Sequence, residues 1–79
     1  MSIRPLSEIA AEIKADWANA SEPAAGYIEA MQRLSSIHDN YGLDSGVEIV
    51  ARFLGSAATW RGPTAQRVKA ELNEMLDAR

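Results

Sequence analysis

"SGVEIVARFLGSAATWRGPTAQRVKAEL", Ser45 to Leu72, is the stretch on which the fold turns. It reads as a helix, a break and a second helix. In the first half Val47, Val50 and Leu54 share one face, and Ile49, Phe53 and Ala57 share another. Polar residues are confined to the strip Glu48, Arg52, Ser56 and Thr59. A helix apolar on most sides is expected to be the central one. The pattern therefore predicts that the third helix of the chain is the most buried, with Val50, Phe53 and Leu54 in the core. Asp44 or Ser45 suits its N-cap, and Glu48 precedes Arg52 by four residues, the favourable order for an ion pair along a helix. Gly62 and Pro63 end the run, because neither continues a helix well. Pro63 or Thr64 then opens a last helix with the stripe Ala65, Val68, Leu72, Met75 and Leu76.

Two more helices precede this pair. Leu6, Ile9, Ile13 and Trp17 recur at helical spacing and predict a helix over residues 5–18. Pro5 suits its first turn, where a missing N–H removes nothing. The run "ANASEPAAG" interrupts it, and a second helix is expected near Ser21 as N-cap, with Glu22 and Pro23 in its first turn. Its expected apolar face is Ala24, Tyr27, Met31, Leu34 and Ile37. The segment "HDNYGLDS" stops it, with Asn40 or Gly42 able to take a left-handed conformation. No strand pattern of comparable strength is present, and there are no repeats, linkers or low-complexity tracts. The predicted fold is all-α: a compact four-helix bundle, residues 1–79, with the third helix most buried.

Composition sets further bounds. A chain of 79 residues makes one small domain of modest stability. It has no cysteine, so neither disulfides nor thiolate–metal clusters staple it. No stretch approaches the ~18 apolar residues of a membrane span, and the N-terminus lacks the apolar run of a signal peptide. The expectation is a cytoplasmic protein without a membrane partner. Formal net charge is -3, which argues against nucleic-acid binding by the whole surface. Charge is segregated, however. Residues 1–50 carry eight acids against three bases, while residues 51–69 carry Arg52, Arg61, Arg67 and Lys69 and no acid.

Several motifs invite a functional reading. Counted from Ile37, Gly42 and Glu48 fall at positions six and twelve of a helix–loop–helix calcium loop. Ile37 and Tyr41 would then occupy ligand positions that need oxygen donors, so the match fails. His38 is the single histidine, and the adjacent Asp39 points another way on a helix, so the two do not form a base and its orienter. The expected protein is non-enzymatic, without catalytic residues, metal or cofactor. Glu8, Glu12 and Asp16, spaced by four, form an acidic ridge that is either a solvated face or a surface for a basic partner. In the last helix Arg67 and Lys69 come early and Glu71, Glu74 and Asp77 late, against the preference of the helix dipole. Three explanations stand: an internal clamp in which Trp60 plugs the end of the bundle while Arg61 bonds a carboxylate or carbonyl; an anion-binding helix start; or chance.

The pieces "IAAEIKADW" (9–17), "YIEAMQRLSSI" (27–37), "NYGLDSG" (40–46), "IVARFL" (49–54) and "TWRGPTAQRVKAEL" (59–72) resemble a group of small helical proteins of actinobacteria and their phages and prophages. The chain departs from them between Trp17 and Tyr27, where such proteins often carry bulky aromatics. The resemblance implies a phage or mobile-element setting, host cytoplasm as the compartment, and action by gripping a host or phage protein. It implies no enzyme activity, cofactor or binding residues. The sequence reading is thus an interaction protein with a protein partner, a homodimer being open, in which Glu8, Glu12 and Asp16 or Trp60, Arg61, Arg67 and Lys69 form the contact. The alternative is a small DNA-binding transcriptional regulator using the basic segment 52–69. Against it, the helix after "HDNYGLDSG" is too apolar to read a groove.

Overall fold

The computed structural model describes residues 4–20 and 22–78. They form α1 (Leu6–Asp16), α2 (Ala24–Gln32), β1 (Asn40–Tyr41), β2 (Asp44–Ser45), α3 (Gly46–Ser56) and α4 (Pro63–Ala78). The Cα radius of gyration is 11.2 Å, close to the ~11.6 Å of a single compact body of this length. α1 and α3 each lie against both α2 and α4. The fully enclosed side chains come from all four helices: Leu6, Ile9 and Ile13, Met31, Val50 and Phe53, Val68 and Leu72.

Local chemistry accounts for the boundaries. Pro5 is the N-cap of α1 and offers no side-chain cap. The amides of Leu6 and Ser7 donate instead to the carbonyls of Ser35 and Leu34, at 3.2 and 2.9 Å. These are donors a helix start leaves unpaired, and here a distant segment satisfies them. Ser45 caps α3, its Oγ accepting from the Glu48 amide at 3.1 Å. Gly62 at φ +112 makes the break before Pro63, a backbone angle a side chain would strain.

Three sequence expectations need correction. Residues 40–45 form an antiparallel hairpin, Asn40 opposite Ser45 and Tyr41 opposite Asp44, where helices alone were expected. Two-residue strands are too short to show an alternating pattern. α2 ends at Gln32, so Leu34 and Ile37 are buried from the irregular segment that follows; its own buried face adds Ile28 and Ala30 to Ala24 and Met31. α3 is not singled out by burial. It buries Gly46, Ile49, Val50 and Phe53, while α1, of equal length, buries Leu6, Ile9, Ala10 and Ile13. Leu54 is half-buried at the edge of the core, because the seam α3 presents runs through Ile49, Val50, Phe53 and Ala57. The Ser21 cap lies outside the described residues.

Candidate functional site

Glu12, in the middle of the acidic ridge of α1, faces the basic start of α4. Glu12 stands at the centre of the seam, paired with Arg67 and with Arg4, whose Nη2 lies 2.8 Å from Glu12 Oε1. That approach is an ion pair outside hydrogen-bonding geometry, which leaves Oε1 without a hydrogen bond. Arg4 turns its fork on Glu71, Nε donating to Oε2 at 3.0 Å and Nη2 to Oε1 at 2.6 Å. Such two-point pairing is among the stronger forms of ion pair. The bond to Glu71 holds the Arg4 proton more tightly than in a free arginine. Arg67 first, and Arg4 second, hold the Glu12 carboxyl below its ordinary value.

Trp60 closes the end of this seam. Its ring is buried, stacked on Trp17 with centroids 5.7 Å apart and set edgewise against Phe53 at 6.2 Å. A buried indole N–H requires an acceptor, and Nε1 donates to Asp16 Oδ2 at 2.8 Å. Lys69 donates from Nζ to the Trp60 carbonyl at 2.6 Å and lies 5.9 Å from the ring centroid, within cation–π range. The carbonyl-bonding role expected of Arg61 thus falls to Lys69. Arg61 is exposed and has no ion pair among the described residues. The seven residues singled out in the sequence therefore divide. Glu12, Asp16, Trp60, Arg67 and Lys69 meet one another across α1 and α4; Glu8 and Arg61 stand exposed and apart. The unusual charge order of α4 follows from this: Arg67, Lys69 and Glu71 are placed for partners on α1, in the α3–α4 connection and just before α1.

The hairpin is built differently. Gly42 has φ +63 and no non-glycine residue among the described residues has positive φ, the pattern of a two-residue type II′ turn with glycine first. Its base is pinned on several sides. The Gly46 amide donates to Asp39 O at 2.7 Å, and a Cβ at Gly46 would stand 2.6 Å from the Ile37 carbonyl oxygen, so only glycine lets the two backbones approach. Asp39 Oδ2 accepts from the amides of Ser35 and Ser36 at 3.0 and 3.1 Å. Arg52 reaches Glu48 at 3.3 Å and Asp44 at 3.8 Å. At the tip Leu43 is wholly exposed, at 106%, with Tyr41 beside it at 40%.

His38 and Asp39 do not pair with each other. His38 is exposed, and its recorded hydrogen bond is from its backbone amide to Ser36 Oγ, 3.1 Å. The Asp39 carboxylate is turned to backbone amides rather than to the imidazole. A cleft of about 500 Å³ lies between Pro5, Leu6, Ile37 and Met75, with Arg4, Ser7, Ser35, Ser36 and His38 around it. Among the described residues no group of three or more His, Cys, Asp or Glu could hold a metal ion, and no helix is long and apolar enough to cross a membrane. Ile37, which the calcium-loop count would make a first ligand, is buried in the core.

Comparison with protein-family models, with curated proteins and with solved structures finds no match to this chain. Sequence reasoning missed two features. Arg4 and Glu71, 67 positions apart, have no local signal that joins them. The hairpin tip had one: "NYGLDS" contains the Gly-X pair of a II′ turn, which was read as a helix stop.

Proposed function

We propose that this chain is a non-enzymatic interaction protein that binds another protein through its hairpin tip. The observation that carries the reading is Leu43, fully exposed at 106% on a hairpin whose base is fixed by Gly46, Asp39, Ser45 and Arg52. A single exposed leucine is ordinary on a protein surface. Here, however, the second position of a II′ turn makes no demand for an apolar residue, so leucine adds nothing to the turn that a polar residue would lack. A tip whose backbone is already held in place loses less freedom on binding, and Tyr41, two residues before Leu43, is a residue type enriched in interfaces. The four helices, read as a bundle, serve as the rigid support.

The DNA-binding alternative is weaker on the same grounds. Of the four bases in residues 52–69, Arg52, Arg67 and Lys69 already have partners within the chain, which leaves Arg61 free for a phosphate. The phage or mobile-element setting implied by the resemblance makes a host or phage protein the partner, in host cytoplasm. Affinity capture with the tagged chain, followed by mass spectrometry, tests the reading against a Leu43→Ser control. One protein recovered in stoichiometric amount, and lost with the variant, supports it. Recovery of nucleic acid alone, equal for both, refutes it.

A further inference from the structure

The charges around the hairpin narrow the kind of partner it fits. Residues 38–52 hold three acids, Asp39, Asp44 and Glu48, against the single base Arg52. Asp44 and Glu48 are about half exposed even while paired with Arg52, and Asp39 is exposed. Leu43 and Tyr41 therefore project from a negatively charged collar. A second copy of the same tip would meet that collar with like charge, which disfavours a symmetric contact between hairpins.

Resting on the docking reading above, we propose that the partner is a protein surface with an apolar stripe rimmed by lysine or arginine. Leu43 packs on the stripe, and Asp44 and Glu48 face the basic rim. Complementary charge of this kind acts on encounter rate and on the choice of partner more than on the depth of binding.

The test uses the full chain, ¹⁵N-labelled, titrated at low salt with two synthetic amphipathic helical peptides. One has a leucine stripe flanked by lysines; the other has the same stripe flanked by glutamates. The expected result is that amide shifts gather at Asn40–Ser45 and Glu48, and that the leucine–lysine peptide binds at least about tenfold more tightly than its acidic counterpart. Leu43→Ser should weaken the leucine–lysine peptide by about tenfold, the effect of losing one buried leucine. If Leu43→Ser weakens both peptides alike and the two bind equally, the basic rim is refuted and the docking reading stands. If Leu43→Ser changes nothing, or the shifts gather at Glu8, Glu74 and Asp77 instead, both fall. Concentration-dependent shifts at the same amides without peptide would show self-association and overturn the proposal.

Discussion

The seam between α1 and α4 and the hairpin at residues 40–45 are both built from charged and aromatic residues in one small body, yet they treat those groups in opposite ways. In the seam, acids and bases from distant positions meet: Glu12 with Arg67 and Arg4, Arg4 with Glu71, Asp16 with Trp60 and Lys69 with the Trp60 carbonyl. In the hairpin, the polar groups of the base are tied down while Leu43 and Tyr41 are held out to solvent. A run of charge that looks like a binding surface can be half of an internal pairing. An apolar residue at a turn, which looks incidental, can be the group left facing outward.

The comparison can be broken most severely beneath the seam. Phe53 is fully buried and packs edgewise against both Trp17 and Trp60. Phe53→Ala should cost about 3–5 kcal/mol, which approaches the whole stability of a domain this small. A thermal melt like the parent's would mean that the aromatic cluster does not support the fold.

Next comes the base of the hairpin. Gly46→Ala pushes a methyl group against the Ile37 backbone, which cannot move aside as a flexible side chain could. The expected cost is about 1–3 kcal/mol, read by urea unfolding. If the variant is as stable as the parent, the hairpin is not held in the described position, and the argument for a pre-ordered tip fails with it.

Smaller effects distinguish fork from charge within the basic groups. Arg4→Lys keeps the charge but loses the two-point bond to Glu71, and should lower stability by about 0.5–1 kcal/mol. Arg61→Lys should leave the melting temperature unchanged, since Arg61 is exposed and has no ion pair among the described residues. The opposite ranking would restore Arg61 as the clamp and place Arg4 on the surface.

Acid should loosen the seam. The Glu12 carboxyl sits below its ordinary value of 4.5 because Arg67 and Arg4 favour its charged form. A depressed folded-state value means that the pairing contributes fully above the unfolded value and is lost as pH falls through the lower folded one. Stability measured from pH 7 downward should therefore decline below about 4.5, and Glu12→Gln should remove part of that decline. A variant whose acid profile matches the parent's would show that Glu12 is not coupled to folding.

The smallest expected effect sharpens the contrast most. Leu43→Ser should change stability by less than about 0.5 kcal/mol, because its side chain covers nothing. A clear loss of stability would show that Leu43 packs within the fold, and would remove it as a docking group.

Periodicity by itself determined the number of helices and most of their buried faces. Leu6, Ile9 and Ile13, Ala65, Val68 and Leu72, and the Ile49–Phe53–Ala57 seam all follow from spacing, since a helix buries one stripe whatever it packs against. Turn chemistry placed the break at Gly62 and Pro63 and narrowed the cap of α3 to Asp44 or Ser45, because these depend on a few neighbouring residues. Tertiary structure decided the rest. Whether Arg61 or Arg4 forms the fork depends on which residues meet across 67 positions, and local pattern carries no such information. Whether a ridge acid binds a partner or pairs internally depends on what lies opposite it: Glu12 meets Arg67 of α4 and Asp16 meets Trp60, while Glu8 stays exposed. The hairpin needed both: Gly42 permits the turn, but its position rests on the close approach of Gly46 to Ile37, a contact between backbones that exists only once the chain has folded.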